Sequence, residues 1–164
     1  MTYLCFMIKV LARILVVILF LFIPRLGGHP TLLSGSKSFT SVAPELSLEN
    51  VYRELLFRDI KHPEVVLRQV IWETQWLNCK NCTLKFNNLF GFATSNGHMK
   101  FDKWTDCIDF YKQWQKRNKI DAEKDYYEQL RKAHFATYVH YNKRLKSLDI
   151  AFILEKFETA NPGL

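Results

Sequence analysis

The spacing of apolar residues divides the chain into three parts. Residues 14–23 read ILVVILFLFI, ten apolar residues without a break. Residues 27–47 show no periodicity and are rich in Gly, Ser, Thr and Pro, which is typical of a flexible linker. From residue 48 onward, apolar residues recur at helical spacing. This pattern predicts helices at 48–60, 63–78, 104–117, 123–134 and 138–157.

Residues 83–103 have a different period. Their apolar side chains alternate with smaller or polar ones and are Phe86, Phe90, Phe92, Met99 and Phe101. Between them, Ser95-Asn96-Gly97 supplies a turn that can adopt positive φ. The pattern therefore predicts a mainly α (α+β) domain of about five helices, with one small β-hairpin lobe inserted after its second helix.

The first apolar run indicates export. It is preceded by Lys9 and Arg13 and is shorter than the roughly 20 residues of a spanning helix. We interpret residues 1–26 as a signal peptide or an N-terminal membrane anchor, 27–47 as the linker, 48–157 as the folded domain and 158–164 as a tail. The expected location is the periplasm, the cell envelope or the medium, with inner-membrane anchoring as the alternative to cleavage.

Charge and histidine spacing argue against several partners. The formal net charge is +7, but Lys9, Arg13 and Arg25 lie in the first 30 residues, which contain no Asp or Glu, and this leaves 20 basic against 16 acidic residues in the rest of the chain. That dispersed surplus is weak for a nucleic-acid binder, so no nucleic-acid partner is expected. The histidines lack ligand spacing with any Cys or carboxylate, so we predict no metal and no cofactor.

Three cysteines follow the leader. In an oxidising compartment a structural disulfide is the expected fate of Cys79, Cys82 and Cys107. A bridge inside C-x-x-C is usually redox-active, and no thioredoxin-like pattern surrounds this one. We therefore predict that Cys107 pairs with Cys79 or Cys82, which leaves one free thiol.

Glu73 occupies an unusual place in the second predicted helix. On a helical wheel it falls in the middle of an apolar arc with Val66, Val70 and Leu77, where an ionised carboxylate is expensive. One explanation is a buried ion pair or a backbone cap. The other is a cleft acid whose pKa is raised by desolvation, as a proton donor in glycosidic bond cleavage requires.

The surrounding motifs resemble a known family. Ile71-Trp72-Glu73-Thr74-Gln75-Trp76, followed by Asn87-Asn88-Leu89-Phe90-Gly91, is similar to the signature of the glucosaminidase family of bacterial cell-wall hydrolases. The stretch 99–104, MKFDKW, resembles the aromatic and Trp segment that opens that family's next helix. The resemblance covers residues 48–148 and implies a lysozyme-like fold.

The resemblance implies an endo-β-N-acetylglucosaminidase that acts on peptidoglycan glycan strands, with Glu73 as the catalytic acid. The membrane would be contacted only through the N-terminal segment, and a monomer is expected. The residues that match the family's substrate-binding positions, or flank them, are Trp76, Asn88, Phe90, Gly91, Phe135 and Tyr141.

The sequence departs from the family pattern in two places. Residues 91–101 contain no Asp or Glu, which leaves Asp102 as the candidate second carboxylate. With one acid, the substrate's acetamido group could act as nucleophile, or an internal attack could release an anhydro sugar as in lytic transglycosylases. Phe135 also replaces a family Tyr and so lacks its hydroxyl. A non-catalytic or weakly active glycan-binding protein with the same fold remains the alternative function.

Overall fold

The computed structural model describes residues 43–162. The predicted leader and most of the linker therefore lie outside the described residues. The α-helices are α1 (Leu48–Phe57), α2 (Pro63–Thr74), α3 (Trp104–Arg117), α4 (Tyr126–Lys132), α5 (Tyr141–Ser147) and α6 (Ala151–Ala160). A 3₁₀-helix (Thr83–Phe86) and the two-residue strands β1 (Ala93–Thr94) and β2 (Gly97–His98) lie between α2 and α3. The prediction of a mainly α, lysozyme-like domain with a small hairpin is confirmed.

Helix α2 lies at the centre of the core. Pro63 begins it, where a missing N–H costs nothing and the fixed φ suits a helix. Val66, Leu67 and Val70 are fully buried, and α2 contacts α1, α5 and the 3₁₀-helix. Each such aliphatic side chain contributes about 1.5–3 kcal/mol on burial. The apolar arc of the sequence is therefore the buried face that fixes this helix and everything attached to it.

The hairpin is shorter than its alternating pattern predicts. Ala93 pairs with His98 and Thr94 with Gly97 in an antiparallel register, so the turn lies at Ser95-Asn96 as expected. Phe86, however, lies in the 3₁₀-helix rather than in a strand. Beyond the two strands, the backbone N–H of Met99 donates to the Phe92 carbonyl at 2.9 Å and that of Phe101 to the Phe86 carbonyl at 3.0 Å. Side-chain bonds from Asn88 to the carbonyls of Phe92 and Met99 add to these.

The predicted last helix is two helices. Leu148 adopts an extended conformation after α5, and its carbonyl accepts a hydrogen bond from Arg68 Nε at 3.2 Å. The Asp149 carboxylate accepts from the backbone N–H of Ala151 at 3.0 Å, a local bond that competes with helix continuation. The periodicity of 138–157 could not reveal this break, because apolar residues keep nearly the same spacing across it.

Among the described residues, no helix is long and apolar enough to cross a membrane.

Candidate active site

Glu73 is the next-to-last residue of α2, and the chain turns sharply after it. Gln75, Trp76 and Leu77 all have positive φ, of 49°, 61° and 60°. The Thr74 hydroxyl accepts from the Leu77 N–H at 3.1 Å and so caps this left-handed turn. The helix predicted to reach residue 78 therefore ends at Thr74, and the Glu73 side chain lies beside the turn instead of under another helical turn.

The two oxygens of the Glu73 carboxyl have different neighbours. The Tyr141 hydroxyl donates a hydrogen bond to Oε1 at 3.0 Å. Oε2 lies over Gly91, where a methyl group added to the glycine would come within 3.2 Å of it. Oε1 is thus fixed by a donor, and Oε2 is the oxygen that remains to carry a proton.

Burial raises the pKa of Glu73 above its usual value, and the hydrogen bond from Tyr141 opposes part of that rise. The position of Glu73 at the C-terminal end of α2 acts in the same direction as burial. The partial negative charge at a helix C-terminus disfavours a second negative charge nearby. The protonated form of Glu73 consequently persists to higher pH than that of an exposed glutamate.

A buried hydrogen-bond chain extends inward from Tyr141. Gln69 Nε2 donates to the Tyr141 hydroxyl at 3.3 Å, and the Tyr111 hydroxyl donates to Gln69 Oε1 at 2.5 Å. Gln69 lies one helical turn before Glu73, and both Gln69 and Tyr111 are fully buried. A hydroxyl carries a single proton, so the direction of each bond constrains the next.

The far end of this chain reaches the loop before α2. Since Tyr111 already donates to Gln69, the Tyr126 hydroxyl 2.5 Å away must donate to Tyr111. Gln115 Nε2 in turn donates to the Tyr126 hydroxyl at 2.8 Å and to the Lys61 carbonyl at 2.9 Å. From Gln115 through Tyr126, Tyr111 and Gln69 to Tyr141, each bond donates toward Glu73, and Tyr141 donates its own proton to the carboxyl.

The cleft has two parts that meet at Glu73 and Gly91, which line both. The larger, of about 670 Å³, is here named the aromatic arm; its rings belong to Trp72, Phe90, Phe92, Trp114, Phe135, Tyr138 and Tyr141. The smaller, of about 330 Å³, is named the basic arm; it is lined by Asn81, Cys82, Thr83, Lys85, Phe86 and His98. Glu73 is the one acidic residue that lines either arm within the described part of the chain. A chain-like ligand that passes Glu73 would therefore contact mainly rings on one side, and on the other Lys85 with polar side chains such as Asn81 and Thr83.

Four predicted binding residues lie together in the aromatic arm. Phe90, Gly91, Phe135 and Tyr141 all line it, and the rings of Phe135 and Tyr141 are 5.9 Å apart. The ring of Phe135 also packs edge-on against Trp114 at 5.0 Å. The substitution of Phe for the family's Tyr at this position keeps the aromatic wall.

Trp76 and Asn88 line neither arm, so the fold does not bring these two predicted residues together with the other four. Trp76 is turned away by the left-handed turn and stacks on Phe152 at 5.9 Å. Asn88 has no exposed surface: its Nδ2 donates to the carbonyls of Phe92 and Met99, and its Oδ1 accepts from the Phe92 N–H. Asn88 therefore holds the hairpin lobe in place and has no group free for a ligand.

Asp102 lies outside both arms. It is exposed in the segment before α3, where its carbonyl accepts from Asn87 Nδ2 at 3.0 Å. The candidate second carboxylate is thus not brought to Glu73 by the fold.

The cysteine pairing also differs from the prediction. Cys79 is bonded to Cys82, and Cys107 is a free, buried thiol. Cys107 lies on the core face of α3, where burial raises its pKa to about 12. The bridge joins the two ends of the short loop between the left-handed turn and the 3₁₀-helix, and Cys82 lines the basic arm together with Glu73.

Sequence reasoning missed Trp72, Trp114 and Gln69. Trp72 precedes Glu73 directly, and a large aromatic residue beside a candidate acid was the available signal. Gln69 is a second polar residue one turn from Glu73 on the same buried face, which signals a polar contact to that acid. Trp114 carried no signal, because only the packing of α3 brings it to the cleft.

Among the described residues no cluster of His, Cys, Asp and Glu could hold a metal ion.

We expect Tyr141→Phe to move the alkaline limit of activity to higher pH. The Tyr141 hydroxyl stabilises ionised Glu73, so its removal raises the pKa of Glu73 further and keeps the proton on the carboxyl. The rate on the plateau should fall, since Oε1 is no longer held. The measurement is the pH dependence of kcat/KM on a glycan substrate.

Tyr126→Phe is the matched control for this experiment. It also removes one buried tyrosine hydroxyl, but it leaves the bond between Tyr141 and Glu73 in place. An alkaline limit that stays unchanged in Tyr141→Phe, or that moves equally in both variants, would contradict the assigned contact.

Comparison with known proteins gives one match. The model of the Glucosaminidase family, described as mannosyl-glycoprotein endo-beta-N-acetylglucosaminidase, matches residues 50–150. No curated protein and no solved structure gave a match. The matched range begins in α1 and ends just before α6, so it contains Glu73, both arms and the whole buried hydrogen-bond chain.

Proposed function

Since the chain belongs to the Glucosaminidase family, and is therefore a glycoside hydrolase by family, we propose that it hydrolyses peptidoglycan. The bond cleaved is the β-1,4 bond next to N-acetylglucosamine, and Glu73 is the general acid. One observation carries the proposal: a single carboxyl with a raised pKa lies where the two arms of the cleft meet. A group that donates a proton at neutral pH needs this combination of access and desolvation.

The first step requires a proton on Glu73 Oε2. This oxygen donates the proton to the glycosidic oxygen as the bond from that oxygen to the anomeric carbon breaks. The charge left on Glu73 is stabilised by the hydrogen bond from Tyr141. The donor that opposes the raised pKa in the resting enzyme thus assists the carboxylate once the proton has left.

The second step needs a nucleophile other than a protein carboxylate. We propose that the acetamido oxygen of the substrate attacks the anomeric carbon and forms a cyclic oxazolinium intermediate. Water then attacks that carbon, Glu73 takes the proton from this water, and the intermediate opens. The absence of a second acid among the described residues lining the two arms supports this route over a pair of protein carboxylates.

The same lone acid also supports an anhydro product. In that route the sugar's own hydroxyl attacks the anomeric carbon and Glu73 receives its proton, so no water is added. The two routes differ by one water in the mass of the product.

The test is to incubate the full chain with purified peptidoglycan and identify the fragments by mass spectrometry. Reduction of the new ends with borohydride shows which sugar was released, because only a free reducing end is converted. We expect reduced N-acetylglucosamine ends. Muramic acid ends, or anhydro ends that resist reduction, would contradict the proposed bond or the proposed hydrolysis. Binding without fragments would favour the glycan-binding alternative.

Asp102→Asn should change kcat by less than about threefold, because Asp102 lies outside both arms. Water activation by this residue would instead give a loss of at least about 10²-fold, the low end for general base catalysis. Steady-state release of reducing ends measures the difference. A loss of that size would reinstate Asp102 as the second carboxylate.

A further inference from the structure

The basic arm is lined by a lysine, Lys85, that the proposed mechanism does not use. From Thr74 to Phe101 the chain contains Lys80, Lys85 and Lys100 but no Asp or Glu. Lys85 and His98 line the basic arm itself. Lys85 thus places a positive charge on this side of Glu73, whereas the aromatic arm has no Lys or Arg among the described residues that line it.

Two of these cations converge on one ring. The Nζ atoms of Lys85 and Lys100 each lie 5.1 Å from the centroid of the Phe86 ring, which also lines the basic arm. Within residues 43–162, the ion pairs all involve other lysines and arginines, so neither cation is neutralised by a neighbouring carboxylate. An anion that reaches the Phe86 ring would therefore be attracted by both ammonium groups.

The lysines do not act on Glu73. Neither lysine lies within ion-pair distance of Glu73, whose pKa is raised by burial and lowered by the hydrogen bond from Tyr141. A cation close to Glu73 would stabilise its ionised form, which cannot donate a proton. The positive charge on this side of the cleft is therefore available to a ligand.

We infer that the basic arm binds a carboxylate carried by the glycan on one side of the bond that is cleaved. This inference rests on the proposed function and narrows it to acidic strands over neutral ones. In peptidoglycan, alternate sugars bear a lactyl group, whose carboxylate is free where no peptide is attached; where a peptide is attached, the free carboxylates are those of the peptide. Both sources present a carboxylate to Lys85, with Lys100 close by at the Phe86 ring, and the asymmetry of the two arms gives the bound strand a direction.

The experiment compares three substrates with the full chain at low and high salt. The first is intact peptidoglycan strands, the second is strands from which the peptides have been removed to leave the lactyl carboxylates, and the third is neutral chitin oligosaccharides. We expect Lys85→Gln to lower kcat/KM on acidic strands by about threefold to fivefold at low salt, as for an exposed charge pair. The effect should shrink at high salt and be absent on chitin oligosaccharides.

The matched control is Lys116→Gln. Lys116 is an exposed lysine near the end of α3 that lines neither arm, and this change also removes one positive charge. It should leave all three rates unchanged. A loss in Lys85→Gln on peptide-free strands assigns the contact to the lactyl carboxylate, and a loss confined to intact strands assigns it to the peptide. Equal losses on acidic and neutral substrates, or no loss on acidic strands, would overturn the inference.

Binding separates this inference from the proposed function. In the Glu73→Gln background, titration with the same three substrates measures affinity without turnover. Weaker binding of acidic strands on adding Lys85→Gln would support the basic arm even if the wild-type chain released no fragments. If the wild-type chain cleaved peptidoglycan but Lys85→Gln did not change the binding of acidic strands, the proposed hydrolase function would be supported and the carboxylate site would be contradicted.

Discussion

Glu73→Gln should lower glycan cleavage by at least about 10²-fold, the low end of what general acid catalysis contributes. The amide keeps the size of the side chain and can still accept the hydrogen bond from Tyr141, but it has no proton to give to the leaving oxygen. The measurement is the rate at which reducing ends are released from peptidoglycan. Binding of the strand should be nearly unchanged, so the loss should appear in kcat rather than in KM.

The same substitution has a stability effect whose sign depends on pH. The folded-state pKa of Glu73 is raised above its ordinary value of 4.5, so the folded state holds this proton more tightly than the unfolded state does. Stability is therefore lost as pH rises through the folded-state pKa. Glu73→Gln avoids this loss, and the variant should unfold at higher denaturant than the wild type at neutral pH but not at pH 3.

Two outcomes would contradict this account. Full activity of Glu73→Gln would exclude Glu73 as the acid. A loss of about 3–5 kcal/mol in the free energy of unfolding would instead indicate a buried ion pair, because removal of one charge strands the other. No cation lies within ion-pair distance of Glu73 in the described part of the chain, so the second outcome is not expected.

Gly91→Ala should lower activity by about tenfold or more and also destabilise the fold. Gly91 has φ of +69°, a conformation that costs an L-residue about 1–2 kcal/mol. The added methyl group would also lie 3.2 Å from Glu73 Oε2, which is closer than a carbon normally approaches an oxygen. The proton-bearing oxygen must then shift, and small displacements of a catalytic group are costly: about 1 Å can lose about 10²-fold.

Gly97→Ala separates the two effects of that substitution. Gly97 has φ of +112°, so alanine is strained there too, but no atom of the described residues lies within 4 Å of the added methyl group. We expect this variant to lose stability in thermal unfolding while its kcat/KM stays near the wild-type value. If both glycine variants lost activity in proportion to their loss of stability, the close approach of Gly91 to Glu73 Oε2 would not contribute to catalysis.

The sequence predicted the helical class, the buried face of α2 and the place of Glu73 on it, because helical periodicity and burial follow one local rule. It could not predict where α2 ends, since three consecutive residues with positive φ have no signature in Gln-Trp-Leu. That turn decides both that Glu73 faces the cleft and that Trp76 does not. A motif match places both residues near a ligand, whereas the backbone separates them.

Asn88 and Cys107 illustrate a second limit. The identity of a polar residue in a motif does not show whether it binds a sugar or stabilises a hairpin. For Asn88 the hydrogen bonds in the structure distinguish the two, because its side-chain amide is already fully hydrogen-bonded within the lobe. The disulfide depends on which sulfur atoms the loop brings together after α2 ends. Both outcomes follow from tertiary packing, which sequence spacing records only indirectly.

The one-directional hydrogen-bond chain from Gln115 to Glu73 makes the cleft and the interior a single cooperative unit. Its links belong to α2, α3, α4 and α5, so the acid is oriented only when all four helices are packed. In a chemical denaturation, loss of the catalytic geometry and loss of the core would then share one midpoint. We expect no partly unfolded intermediate that keeps some activity. The glutamine and tyrosine side chains that pack the core are the same ones that position the Glu73 carboxyl.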